Sequence, residues 1–80
     1  MKKTTADLIL LAGTGADLIL DVSKIPTAEI IQIIGSIGLK GSHITICNSN
    51  SKSTADLILL TMNYPKNIIF DMRNNNAGED

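Results

Sequence analysis

Lys3-Thr4-Thr5-Ala6-Asp7-Leu8-Ile9-Leu10-Leu11 and Lys52-Ser53-Thr54-Ala55-Asp56-Leu57-Ile58-Leu59-Leu60 are nearly the same nine residues, met twice within 80. They differ only at Thr4 against Ser53 and start 49 residues apart. A match of that length points to internal repetition, and periods of ~20–50 residues are the mark of stacked supersecondary units. Each copy opens as a helix does: a hydroxyl at the N-cap and a carboxylate three residues on, near the positive end of the helix dipole. A third start lies between them at Pro26-Thr27-Ala28-Glu29, with Thr27 as the expected cap. Apolar runs follow each start, over 8–12, 30–37 and 57–62. Turn residues then stop them: Gly13 and Gly15, then Gly35, Gly38 and Gly41, then Asn63 and Pro65.

After each stop comes a short β-branched run, at 18–22, 44–48 and 68–72. One pentapeptide, Ala-Asp-Leu-Ile-Leu, occurs at 6–10, 16–20 and 55–59. The middle copy reads as strand because Gly15 precedes it and the polar Asp21 and Ser23 follow. The order is therefore helix–strand three times over. Strands joined by helical crossovers run parallel, and the crossovers are right-handed. The sequence thus predicts an α/β fold of three helix–strand repeats, a small solenoid with a three-stranded parallel sheet and helices on one face. Residues 1–73 form the expected single domain and 74–80 a disordered tail. Even-numbered strand positions would face the helices. The opposite face would carry Ile19, Thr45 and Ile69 in one row and Asp21, Cys47 and Asp71 in the next.

Bulk properties narrow the function classes. The chain is 44% hydrophobic with one Tyr, one Phe and no Trp, so its core must be aliphatic. A net charge of −1 and scattered Lys residues give no field for nucleic acid, and no aromatic platform stacks bases. One cysteine, Cys47, excludes an internal disulfide and fits a reducing, cytoplasmic setting. Met1-Lys2-Lys3 with the apolar run 8–12 has the outline of a secretory signal. The run is shorter than the ~7–15 apolar residues that a signal needs, and it belongs to one of the two matching units. No stretch approaches the ~20 apolar residues of a membrane span.

The ~25-residue period and the segments Leu18-Ile19-Leu20, Ile44-Thr45-Ile46 and Ile68-Ile69-Phe70 resemble the leucine-rich-repeat class over roughly residues 15–75. That resemblance implies a stacked α/β architecture. Where the family places its ladder asparagine, this chain has Ser23, Ser49 and Arg73, with Asn48, Asn50 and Asn74 nearby. A weaker similarity to anti-sigma-factor antagonist domains runs from Leu20-Asp21-Val22-Ser23 through Ile46-Cys47-Asn48 to Leu59. The connection there is too short for that family's phosphorylated-serine loop, so its regulatory chemistry does not carry over.

Candidate chemistry divides by geometry. The glycine-rich stretch 35–42 lies after a helix and before a strand, whereas phosphate loops follow a strand and open a helix. The loop Asn48-Ser49-Asn50-Ser51-Lys52-Ser53 stands at the favourable end, where open α/β sheets place ligands. Asn48, Ser49, Asn50, Lys52 and Ser53 are therefore the candidate anion or nucleotide site. Asp21 and Asp71 would lie two strands apart, about 9.6 Å, too wide for one metal ion. His43 and Cys47 would be about 13 Å apart along one strand, too far for a nucleophile and its base. No catalytic, metal or cofactor set assembles. The sequence points to a non-catalytic interaction module that binds another protein or, as a homodimer, itself. Ile19, Asp21, Thr45, Cys47, Ile69 and Asp71 form its expected face. An anion-binding regulatory domain using 48–53 is the rival reading.

Overall fold

The computed structural model of the chain describes residues 3–73, so the tail expected over 74–80 lies outside the described residues. Helix α1 (Thr5–Gly13) leads into strand β1 (Leu18–Asp21), α2 (Thr27–Gly35) into β2 (Ile44–Cys47), and α3 (Thr54–Leu60) into β3 (Ile68–Phe70). The three strands form one parallel sheet in the order β1-β2-β3, with Leu18 opposite Ile44 and Ile44 opposite Ile68. Short 3₁₀ turns at 22–24, 38–40, 49–51 and 65–67 fill the connections.

The helix starts follow from local chemistry. Thr4 accepts a hydrogen bond from the Asp7 N–H at 3.2 Å, and Asp7 accepts one from the Thr4 N–H at 3.3 Å, a complete capping box. Ser53 caps α3 with one of these two bonds, accepting from the Asp56 N–H at 3.2 Å. At α2 the expectation of Thr27 as cap is corrected. Pro26 occupies the cap with φ −58° and ψ 142°, offering no side-chain acceptor, and Thr27 is the first helical residue. Thr27 therefore corresponds to Thr5 and Thr54 rather than to Thr4 and Ser53. All three helices then read Thr-Ala-acid-aliphatic-Ile-x-aliphatic from their first residue.

That shared first turn ties neighbouring helices together. The Thr5 hydroxyl donates to Glu29 at 2.5 Å, from α1 to α2. The Thr27 hydroxyl donates to Asp56 at 3.2 Å, from α2 to α3. Helix α2 packs against both neighbours and supplies the centre of the core through Ile30, Ile33 and Ile34. The even strand positions Leu20, Ile44 and Ile46 join it, with Val22 just past β1. Burying one such aliphatic side chain contributes about 1.5–3 kcal/mol.

Polar groups that go inside are matched. The buried Ser42 hydroxyl donates to the Ala12 carbonyl at 2.6 Å, and the Asn67 amide donates to the Ser42 carbonyl at 3.0 Å. All three helix–strand pairs are thereby linked through the segments that enter β2 and β3. Gly41, at φ +73°, makes the reversal into β2 that a side chain would strain.

Candidate functional site

The open face of the sheet has the rows that alternation demands. Ile19, Thr45 and Ile69 are in register across the three strands, at 76% exposed, half-buried and 51% exposed. Two branched apolar side chains thus stand in water on either side of a threonine. Cys47 lies opposite Asp21 in the next row, half-buried, while Asp71 falls one residue past the end of β3.

Both carboxylates of that row serve as turn anchors. Asp21 accepts from the Ser23 N–H at 3.0 Å and the Ser23 hydroxyl at 2.7 Å. Its carboxyl is held below the ordinary aspartate value, first by the side chain of Asn48, the residue after β2, and then by Ser23. Asp71 accepts from the Arg73 N–H at 3.0 Å and from its guanidinium at 2.9 and 3.0 Å. That carboxylate raises the Arg73 pKa above its usual range. Aspartates that bond the backbone two residues on stop strands by forming local turns. Among the described residues, no three of His, Cys, Asp and Glu come together.

His43 precedes β2 and turns outward to Asp17, with Nδ1 and Oδ1 3.4 Å apart. The His43 backbone N–H also donates to that carboxylate at 2.9 Å, and this bond is the main cause of the lowered Asp17 pKa. Cys47 ends the same strand, so the two groups sit at opposite ends of β2.

The loop 48–53 is closely built. Asn48 takes the left-handed conformation, φ +58°. Ser49 is buried and donates to the Ile46 carbonyl at 2.7 Å. The Asn50 amide reaches the Met72 carbonyl at 3.1 Å. Lys52 Nζ donates to the Ile25 carbonyl at 2.7 Å, joining the α3 entry to the α2 entry. Ser53 accepts from the Asp56 N–H at 3.2 Å, capping α3. Asn50 and Lys52 thus tie this loop to the neighbouring helix–strand pairs, while Ser49 and Ser53 bond locally.

A second set of apolar side chains, on the helices, escaped the strand-centred reading. Leu10, Leu11, Ile58 and Leu59 are all exposed. The nonamers carried a signal for them: four consecutive aliphatic residues exceed what one buried helical stripe can hold. No described helix is long and apolar enough to cross a membrane. No family model matches the chain, and neither a curated protein nor a solved structure matches it.

Proposed function

We propose that this chain is a small non-catalytic interaction module, a solenoid-like layout akin to leucine-rich repeats, that binds a protein partner or another copy of itself through its open sheet face or an edge strand. The observation that carries this reading is the Ile19–Thr45–Ile69 row, whose outer members are 76% and 51% exposed. Water-facing isoleucines on the two outer strands give up hydration when covered, at about 25 cal/mol per Å². The strands β1 and β3 each pair on one side only among the described residues, which leaves backbone donors and acceptors for a further strand. Both features favour a protein partner over a small anionic ligand.

The test uses Ile19→Lys and Ile69→Lys. Each is expected to weaken self-association or capture of a partner while circular dichroism and the unfolding midpoint stay unchanged. If neither substitution alters any association the protein makes, the sheet-face reading fails.

A further inference from the structure

We propose that copies of this chain associate head to tail, the α3/β3 end of one docking onto the α1/β1 end of the next. The inference rests on the interaction-module reading and names its partner: a second copy of this chain. Three equivalent sets of helix residues carry it.

On a helix, residues four apart share a side. Thr5 with Ile9, Thr27 with Ile31 and Thr54 with Ile58 therefore define the side that looks forward along the chain, because Thr5 and Thr27 bond the next helix. Asp7 with Leu11, Glu29 with Ile33 and Asp56 with Leu60 define the side that looks back, because Glu29 and Asp56 receive those bonds. Where a neighbour exists, these side chains are covered. Looking back, Ile33 is 0% exposed and Leu60 is 2%. Looking forward, Ile9 and Ile31 are partly buried against the core. Where no neighbour exists among the described residues, the same positions are bare: Leu11 at 39% and Ile58 at 57%.

The polar halves of the junction are left over in the same pattern. The Thr54 hydroxyl donates to nothing among the described residues, although Thr5 and Thr27 both donate forward. Asp7 turns back to the Thr4 N–H through Oδ2, and Oδ1 has no partner among the described residues. One end thus presents a donor beside an isoleucine and the other an acceptor beside a leucine. These are the two halves of a contact the chain makes twice internally.

The strands agree. Leu18 donates to the His43 carbonyl and Asp71 to the Ile46 carbonyl, so Phe70 on β3 and Ile19 on β1 turn their backbone groups outward. Continuing the observed register would place Leu18 of the next copy opposite Ile68. The one adverse pairing, Asp71 beside Asp21 of the next copy, is offset because Arg73 is held on Asp71 at 2.9 Å. An interface of this heterologous kind does not stop at two subunits: it grows into an open array or closes as a ring of three or more.

The experiment is sedimentation velocity on the full chain from micromolar to millimolar concentration, with Leu11→Lys, Ile58→Glu and their equimolar mixture. The wild type is expected to grow past a dimer with concentration. Each variant alone is expected to stay monomeric, and the mixture to reassemble as Lys at 11 meets Glu at 58. Thr54→Val, which keeps side-chain volume and removes only the donor, should weaken association about fivefold and serves as well if a charged variant loses its circular dichroism signature. A wild type that remains monomeric, a wild type that stops at a dimer, or a mixture that stays monomeric would each overturn the proposal. Those results concern the helix ends alone. The sheet-face reading is judged separately by Ile19→Lys and Ile69→Lys.

Discussion

Helices α1 and α3 start from nearly the same nine residues and the same hydroxyl cap, yet Leu11 is 39% exposed where its counterpart Leu60 is 2% exposed. The acids diverge too. Asp7 bonds its own cap backbone, whereas Asp56 receives the Thr27 hydroxyl from α2. Sequence sets what each helix is locally, and its place beside α2 sets which of its sides is dry. The nonamer carries two apolar sides, and each copy covers only the one that has a neighbour.

Truncating the matched leucines gives the largest expected contrast. Leu60→Ala should cost about 2–4 kcal/mol, because it removes a fully enclosed side chain and leaves a cavity. Leu11→Ala should cost under about 1 kcal/mol, since water already reaches much of that side chain. Urea denaturation at low protein concentration, where association is absent, measures both. Equal losses would mean that the copies are packed alike and would break the comparison. The caps form a control of intermediate size: Thr4→Ala and Ser53→Ala should each cost about 1 kcal/mol, because a cap depends on its own helix and not on a neighbour. A large difference between those two would show that the helices are not locally equivalent.

Local chemistry of this kind was legible in the sequence. The caps at Thr4 and Ser53, the three strands and their parallel order all follow from patterns within a few residues. So does the split fate of Ala-Asp-Leu-Ile-Leu: the copy at 16–20 becomes β1 because Gly15, at φ +96°, has already ended the helix. Contacts between distant residues were not legible. Thr27 reads as a cap by type, but Pro26 holds the extended cap conformation and the Thr27 hydroxyl goes to Asp56, 29 residues away. Nothing in the loop 48–53 announces that Lys52 reaches the Ile25 carbonyl. On the candidate face, alternation gave the row Ile19, Thr45, Ile69. It could not show that Asp21 and Asp71 are spent on their own turns, since that depends on backbone curvature after the strands.

The matched lysines sharpen the comparison at smaller scale. Lys52 is half-buried on the Ile25 carbonyl, whereas Lys3, its counterpart, is exposed at the start of the first copy. Lys52→Ala should therefore cost about 1 kcal/mol, and Lys3→Ala should produce no measurable change in the urea midpoint. Thermal stabilisation of the wild type by phosphate, lost in Lys52→Ala, would instead favour the anion-loop reading of 48–53.

The smallest effect concerns the carboxylate in the turn that ends β1. Asp21 has a folded pKa below its unfolded value of about 3.9, lowered chiefly by the nearby Asn48 side chain and then by Ser23. A depressed carboxyl pKa stabilises the fold above the unfolded value, and that contribution disappears as pH falls through the folded value. The stability gap between wild type and Asp21→Asn should therefore be constant from neutral pH down to about 5 and shrink below about 4. Because the carboxylate is exposed, solvent screens it and the gap stays small. Asp17→Asn should show the same sign, since the His43 N–H lowers that pKa, but it breaks a link outside the turn that ends β1. A gap that widens on acidification would mean that Asp21 is destabilised in the fold.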